Sequence, residues 1–249
     1  MSRPASPIAA TLAQTATELR LTARRGENVL VTIIIPAVVL LFFASSGVLP
    51  TGAGRPVDFL LPGSLALAVI ATSLVNLGIA TAYERHYGVL KRLGGSPLTR
   101  GQLLAAKMAA VLAVEMAQVV LLMAIAVFVL GWTLPPGSAP VLVVVGLVLG
   151  TLAFAGLGLL LAGALRAEAT LALANGLFLV ALMLGGIVLP LDHLADPLAA
   201  VARVLPAAPL ADLFRVALGS GGDAAAPVAI LVAWGVGAVA LTVRTFRWE

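Results

Sequence analysis

Six long apolar stretches dominate this sequence, at residues 29–48, 59–82, 103–131, 139–163, 171–189 and 228–246. Each is long enough to cross a hydrocarbon layer of about 30 Å as a helix. Hydrophobic residues make up 61% of the chain and charged residues 10%, whereas soluble domains average about 45–50% and about 25%. Because lipid offers no partner to a free backbone N–H, helices are the expected form. The sequence therefore predicts an all-α polytopic membrane protein, one domain with six transmembrane helices, and excludes an ordinary soluble enzyme.

Positive charges are distributed unevenly between the two sides that six spans define. With the N-terminus inside, only Arg55, Arg203 and Arg215 of the 15 Lys and Arg residues lie on the outer side. Cytoplasmic loops carry such an excess, so we expect both termini in the cytoplasm. Aromatic residues near the span ends are expected to lie at the membrane interfaces as anchors. They are Tyr83, Tyr87, Trp132 and Trp248.

The segment before the first span, residues 1–28, has apolar residues at helical spacing. Ile8, Leu12, Ala16 and Leu19 recur every three or four positions, and basic residues follow them. This pattern predicts an amphipathic helix that lies along the inner membrane surface. The alternative is a flexible basic tail that only sets the orientation.

The loop between the second and third spans carries both positive charge and apolar residues. The second span is expected to continue as a helix to Leu93, and Gly94-Gly95 to end it. Ser96 is expected to cap the next helix, with Pro97 at its first position. The apolar residues of this hairpin, expected to be exposed, are Val89, Leu90 and Leu93. The hairpin is either a docking site for a cytoplasmic partner or a loop that sets orientation.

The third span contains three polar side chains. Lys107 is expected to reach the headgroups with its long side chain. Glu115 lies about 12 Å further in, with Gln118 on nearly the same helix face. These two residues are candidates for a polar position on a translocation pathway or at a subunit seam. The alternative is a structural hydrogen bond to another helix, with Asn76 or Asn175 as the partner.

The connection between the last two spans, residues 190–227, is expected outside. Asp196-Pro197 begins a short helix, Pro206 and Pro209 are expected to break it, and a second helix follows over residues 210–218. Asp212 and Arg215 are spaced to pair on that second helix. The segment predicts two short re-entrant helices near the outer mouth, or else a plain extracellular loop with interfacial helices.

Several kinds of catalytic and metal site lack their residues in this sequence. The chain has no cysteine, and His86 and His193 fall on opposite sides of the predicted membrane. A Walker A loop needs Lys followed by Ser or Thr, but Arg92 and Met108 follow the two lysines. We therefore expect no catalytic site, metal or cofactor in this chain. There is also no basic run with interleaved aromatic residues, so we expect no nucleic-acid partner.

Two segments carry a resemblance to a known family. They are ERHYGVLKRLGGSPLTRGQLLAAK at 84–107 and GGIVLPLDHLADPLAAVARVLPAAPLADLFRVAL at 185–218. With the basic N-terminal segment, this layout resembles the ABC-2 type permeases, in particular the small permeases of bacterial drug exporters of the daunorubicin-resistance kind. The resemblance covers nearly the whole chain, although its motifs are loose patterns.

The resemblance implies partners and roles. A separate nucleotide-binding ATPase subunit would bind ATP and magnesium, and a second permease, identical or homologous, would complete the transporter in the bilayer. The segment around 8–25 would be the elbow helix, and the outer re-entrant segment would include Pro206, Pro209, Asp212 and Arg215. The coupling segment, which would dock on the ATPase, would comprise Gly88, Val89, Leu90, Lys91, Arg92, Leu93, Gly94, Gly95 and Ser96.

The function implied by the resemblance is that of a permease subunit of an ABC exporter in the bacterial cell membrane. It would move a hydrophobic or amphipathic molecule outward, such as a drug, a secondary metabolite or a lipid. The alternative is a stand-alone secondary transporter or channel. Such proteins usually need intramembrane charges for ion coupling, and Glu115 alone is weak support for that class.

Overall fold

The structure, a computed structural model, describes residues 6–24, 26–46, 54–96 and 98–245. Pro97, Trp248 and the last residue of the sixth predicted span lie outside these ranges. Regular structure in the described residues is helical, without a β-strand. The α-helices are α1 (Pro7–Arg24), α2 (Gly26–Ser46), α3 (Pro56–Ile70), α4 (Leu77–His86), α5 (Val89–Gly94), α6 (Arg100–Ala124), α7 (Val141–Ala164), α8 (Ala167–Leu184), α9 (Asp196–Val204), α10 (Ala207–Ala217) and α11 (Ala225–Thr245).

Within the described residues, five helical stretches are long and apolar enough to cross a membrane. They are Pro56–His86, Arg100–Val129, Val141–Ala164, Ala167–Leu184 and Ala225–Thr245. The first predicted span coincides with α2, whose apolar part is described over Thr32–Ser46. The expected all-α polytopic fold is therefore confirmed, and the chain is a multi-pass membrane protein.

The second span is the central helix of the molecule. In its most apolar stretch 78% is buried, against 28% for Arg100–Val129, 22% for α11 and 17% for α8. Small residues allow this packing: a Cβ added to Gly78 of α4 would lie 3.1 Å from the Cα of Gly158 on α7. The outer helices consequently keep wide apolar faces turned away from the protein.

A π-helical turn, Ala71–Asn76, joins α3 to α4 inside the second span. Such turns place an extra residue in the helix and are frequent at functional sites. Thr72 and Ser73 lie on this turn and are buried. A second π-helical turn, Ile125–Val129, extends α6.

α10 is part of the core, whereas α9 is largely exposed. Eight of the residues of α10 are buried, and its Phe214 and Leu210 face glycines of α7. A Cβ added to Gly146 would lie 2.6 Å from the Phe214 ring. α9 and α10 are bent by 76° at their junction. This bent pair fits the predicted pair of short helices better than a plain loop.

The first outer helix ends at Val204, before Pro206, as expected. The expected start of the second outer helix is wrong by three residues, because α10 begins at Ala207 and contains Pro209 in its first turn. Proline is tolerated there because the first N–H groups of a helix have no intrahelical acceptor.

Trp132 does not act as an exposed interface anchor. It is 3% exposed, and its Nε1 donates to Asp58 Oδ1 at 3.0 Å. Arg55 of the same region donates to the carbonyl oxygens of Leu130 and Gly131, at 2.7 and 3.0 Å. The C-terminal end of the third span is thus fixed to the start of the second span by polar contacts.

Candidate functional site

The hairpin between the second and third spans differs in detail from the expected one. α4 ends at His86, and the chain turns at Gly88, whose φ of 70° places it in the left-handed region. α5 then runs from Val89 to Gly94. The expected continuous helix to Leu93 is therefore interrupted. Glycine adopts the left-handed conformation at little cost, and Gly88 thereby ends α4.

The cap of the third span is Thr99 and not Ser96. The Thr99 hydroxyl accepts from the backbone N–H of Gln102 at 3.3 Å, and the backbone N–H of Thr99 donates to Gln102 Oε1 at 2.8 Å. This reciprocal pair is a capping box, so α6 begins at Arg100. The Ser96 hydroxyl donates to Leu93 O at 2.5 Å and so closes the turn after α5.

The exposed surface of α5 is more polar than expected. Leu90 is fully buried, against Leu103 and Leu104 of α6, so its expected exposure is wrong. Leu93 is half-buried, while Val89 is 39% exposed and both Lys91 and Arg92 are exposed. A short helix must bury one face to hold its position, and Leu90 provides that face. The surface left for a partner is basic, with Val89 as its apolar residue.

α1 turns its polar stripe toward the protein. Gln14 and Glu18 are buried, whereas Ile8 and Leu12 are 73% and 63% exposed. The apolar residues that predicted an amphipathic helix therefore point away from the other helices. This arrangement suits a helix whose apolar side meets lipid.

A buried ion-pair cluster connects α1, α4 and α6. Lys107 is 1% exposed, so the expectation that it reaches the headgroups is wrong. Its Nζ lies 2.6 Å from Glu84 Oε2 and 3.1 Å from both carboxylate oxygens of Glu18. Gln14 Nε2 donates to Glu18 Oε1 at 2.8 Å. A buried ammonium requires such partners because its desolvation is expensive.

This cluster was not predicted from the sequence. One signal was available: Glu18 and Gln14, four residues apart, lie on the polar stripe of α1. Lys107, a positive charge within an apolar stretch, was a second signal, because such a charge needs a negative partner. Since Glu84 lies on α4 only a few residues before α5, the cluster fixes the base of the hairpin to α1 and α6.

Arg85 fixes the C-terminal end of α7. Its guanidinium donates to the carbonyl oxygens of Gly163 and Leu165. These carbonyls lie at the C-terminus of α7, where the last oxygens of a helix lack intrahelical partners and attract positive charge. The hairpin is therefore connected on its other side to the fourth span.

A groove of about 480 Å³ opens beside the base of the hairpin, between α2, the second span and α8. Its wall is mostly apolar, with two tyrosines that stack at 6.1 Å between ring centroids. The lining residues are Thr32, Val75, Asn76, Ile79, Ala80, Tyr83, Glu84, Tyr87, Val89 and Leu171. Such a groove, apolar with few polar groups, is typical of sites for organic ligands.

Glu115 and Gln118 lie in a buried polar layer inside this chain. Glu115 accepts hydrogen bonds from Ser73 and Thr151, and it is 1% exposed. Gln118 Oε1 accepts from Thr72 at 3.0 Å, and its Nε2 donates to Thr32 O at 3.2 Å. The partners are thus not the expected amides.

The two expected amide partners lie elsewhere in the structure. Asn175 donates to Leu171 O of its own helix at 2.8 Å, and Asn76 lines the groove. The layer of Glu115 and Gln118 instead connects α2, the π-helical turn, α6 and α7. Among the residues that the structure describes, no group of His, Asp and Glu could hold a metal ion.

The expected pair of Asp212 and Arg215 is present on α10. Arg215 donates to Asp212 Oδ1 at 2.7 Å and to Gly186 O, and its guanidinium lies 4.3 Å above the Phe59 ring. These contacts join α10 to the buried segment after α8 and to the start of α3. The residues predicted for the outer segment are therefore assembled at one end of the molecule, away from the hairpin.

Comparison with known proteins agrees with this arrangement. The sequence model described as ABC-2 type transporter matches residues 10–218, which include most of α1, the hairpin and α10. No curated protein matches the chain. This match identifies the family and does not identify the daunorubicin-resistance subtype. Because it covers most of the chain, the protein belongs to the ABC-2 type transporter family, the membrane components of ABC-type transporters.

Proposed function

We propose that this chain is the permease subunit of a bacterial ABC exporter and moves a hydrophobic or amphipathic molecule outward. ATP, with magnesium, is bound and hydrolysed by a separate subunit, and both termini of the permease are cytoplasmic. One observation carries this proposal: Val89 lines the groove and also begins α5. A movement imposed on α5 by a partner thus changes the wall of the groove directly.

The ATPase docks on the exposed face of α5. Val89 contributes the apolar contact and Arg92 a positive charge, while Leu90 holds the helix from below. The cluster of Lys107 and the contacts of Arg85 stiffen the base of the hairpin. Nucleotide binding therefore moves a rigid unit, which shifts the balance between two states of the spans.

The groove favours a substrate with an apolar or aromatic body. Its wall combines aliphatic side chains with Tyr83 and Tyr87, and Asn76 offers an amide. Its one carboxylate, Glu84, is paired with Lys107 at 2.6 Å. A neutral or weakly charged amphipathic molecule suits this lining better than a small ion. A second permease, identical or homologous, completes the pathway.

Co-purification tests the docking. The permease is expressed together with its nucleotide-binding subunit, and the amount of that subunit retained in detergent is measured. Val89→Asp combined with Arg92→Glu is expected to abolish retention because it reverses both contacts. Arg203→Glu, an exposed charge reversal on α9 at the other end of the molecule, is the matched control and should retain the subunit.

Transport in liposomes separates the two functional classes. The permease with its ATPase subunit is expected to export only with ATP present. Full transport by the permease alone, driven by an ion gradient without nucleotide, would assign it to the secondary transporters and contradict the proposal. Unchanged retention in the Val89→Asp, Arg92→Glu variant would contradict the docking site.

A further inference from the structure

An apolar cavity of about 160 Å³ lies between α8, the α9–α10 bend and α11. Phe154, Leu177, Val180, Leu205 and Trp234 are among its walls. The single polar side-chain atom of the lining, Trp234 Nε1, donates to Val204 O at 2.9 Å. The cavity therefore offers no hydrogen bond to an occupant.

A surface groove of about 380 Å³ adjoins this cavity at Trp234. The cavity and this groove share Leu157 and Trp234, and the groove follows α11 past Gly237 to Leu241. A Cβ added at Gly237 would have nothing within 4 Å, so the floor of the groove is open there. Cavity and groove together form an apolar slot along the α11 span.

The hydrogen bond of Trp234 fixes the position of its side chain in the wall of the slot. Val204 is the last residue of α9, and its carbonyl lies at a helix end without an intrahelical partner. In a hydrocarbon environment such a carbonyl is costly unless a donor reaches it. Trp234 supplies that donor, and the bond holds its ring in the wall that the cavity and the groove share.

The size and chemistry of the slot select its occupant. Water is disfavoured because it needs two to four polar partners, which this lining lacks. A helix from another protein, roughly 10–12 Å across with side chains, is too wide for a cavity of about 160 Å³. A single flexible hydrocarbon chain is narrow enough. Val180, which lines the cavity and is 44% exposed, lies on the membrane-spanning helix α8, so the opening of the cavity faces lipid.

We propose that this slot binds one acyl chain of a membrane lipid. The chain enters between α8 and α11 and lies against the Trp234 ring, with its end at Leu205 in the α9–α10 bend. The bound chain fills space beside the bend and supports the position of α10. This site is separate from the groove beside the hairpin and involves only the permease and the bilayer.

Photo-crosslinking tests the site in the intact chain. The permease is placed in vesicles of phosphatidylethanolamine and phosphatidylglycerol with a trace of phosphatidylcholine that carries a diazirine in one acyl chain. After irradiation, labelled peptides are mapped by mass spectrometry. Labelling at Trp234 and Leu177 is expected to exceed that at Val120 and Phe128, which are exposed on the third span, several-fold.

Filling the groove provides the decisive variant. Gly237→Phe is expected to reduce the labelling at Trp234 several-fold, because the new ring occupies the open floor. Gly176→Phe is the matched control: Gly176 also faces open space but lies outside the slot, on α8. Val180→Trp at the rim of the cavity is a second variant, and an unchanged thermal unfolding midpoint verifies folding.

Two results would overturn the proposal. Even labelling over all lipid-facing helices, or enrichment that Gly237→Phe and Val180→Trp leave intact, means that no specific chain is bound. A disulfide between two copies of the Gly237→Cys variant, formed in the membrane before solubilisation, means that a second permease covers this face. Either outcome leaves the docking of the ATPase on α5 unaffected.

Discussion

Lys107 shows how strongly one side chain depends on its tertiary partners. Its neighbours in sequence are apolar, and a long cationic side chain near a span end ordinarily reaches water. Here it meets Glu18 and Glu84, which come from helices before it in the chain. The buried ammonium of Lys107 is tolerated because packing of the helices places both carboxylates, those of Glu18 and Glu84, beside it.

Removing the ammonium is expected to destabilise the fold strongly. Lys107→Met leaves Glu18 and Glu84 buried beside each other, which we expect to cost about 3–5 kcal/mol of unfolding free energy. The only other lysine, Lys91, is exposed, so Lys91→Met is the matched control and should cost at most about 1 kcal/mol, the contribution of an exposed ion pair. Thermal unfolding in detergent measures both; equal midpoints would show that the cluster does not stabilise the protein.

Adjacent residues of α5 are expected to separate stability from docking. Leu90→Ala removes a buried side chain and should cost about 2–5 kcal/mol. Val89→Ala, at a position 39% exposed, should leave the unfolding midpoint nearly unchanged while it weakens retention of the ATPase subunit. Measuring both quantities for both variants tests the division of roles, and a reversed pattern would contradict it.

At the scale of elements, the hairpin is defined by its ends. Gly88 ends α4, Leu90 holds α5 against α6, and Thr99 starts α6. The ends at Gly88 and Thr99 depend only on neighbouring residues. The burial of Leu90, in contrast, fixes which face of α5 is available to a partner. The outer bent pair is built similarly, with Arg215 joining α10 to Gly186 and Phe59.

The backbone at Gly88 supplies a prediction for this element. Gly88→Ala should destabilise the hairpin by about 1–2 kcal/mol, because a Cβ is unfavourable in the left-handed region. Gly101→Ala is the control, since a Cβ at either glycine meets nothing within 4 Å and only Gly88 has a positive φ. Limited proteolysis of the hairpin, alongside thermal unfolding, reports the difference. Equal cleavage of the two variants would argue against the backbone explanation.

At the scale of the whole molecule, the second span organises the other helices. α2, α6, α7 and α8 pack against it, whereas α11 packs on α7, and the polar layer around Glu115 connects it to α6 and α7 near its π-helical turn. The hairpin lies at one end of this span and the outer bent pair packs near the other. A displacement at the hairpin is therefore applied to the helix that contacts most of the bundle.

The distribution of positive charge predicts the orientation of the molecule in the membrane, and this prediction is directly testable. The chain contains no cysteine, so single cysteines at Arg92 and Arg203 can be labelled without background. With a membrane-impermeant maleimide on intact cells, Arg203→Cys should be labelled and Arg92→Cys only after lysis. The opposite result would place the hairpin outside and remove the basis for docking an ATPase.

Much of the architecture could be read from local sequence. The apolar stretches predict the helices of the membrane domain because the free energy of transfer to lipid is a property of each segment alone. The pattern of Ile8 and Leu12 predicted α1, and Asp196-Pro197 predicted the start of α9. The roles of Glu115 and of the coupling segment stay predictions, because they depend on a substrate and on a partner subunit that the sequence does not specify.

The sequence by itself determined that the chain is a bundle of membrane-spanning helices with a charged hairpin, because hydropathy and capping act over a few residues. Only the tertiary structure decided that Leu90, Lys107 and Trp132 are buried. The contacts that bury Lys107 join residues 23 and 89 positions apart, and Trp132 meets Asp58 across 74. No local pattern specifies such pairs, because they depend on which helix faces meet when the spans pack together.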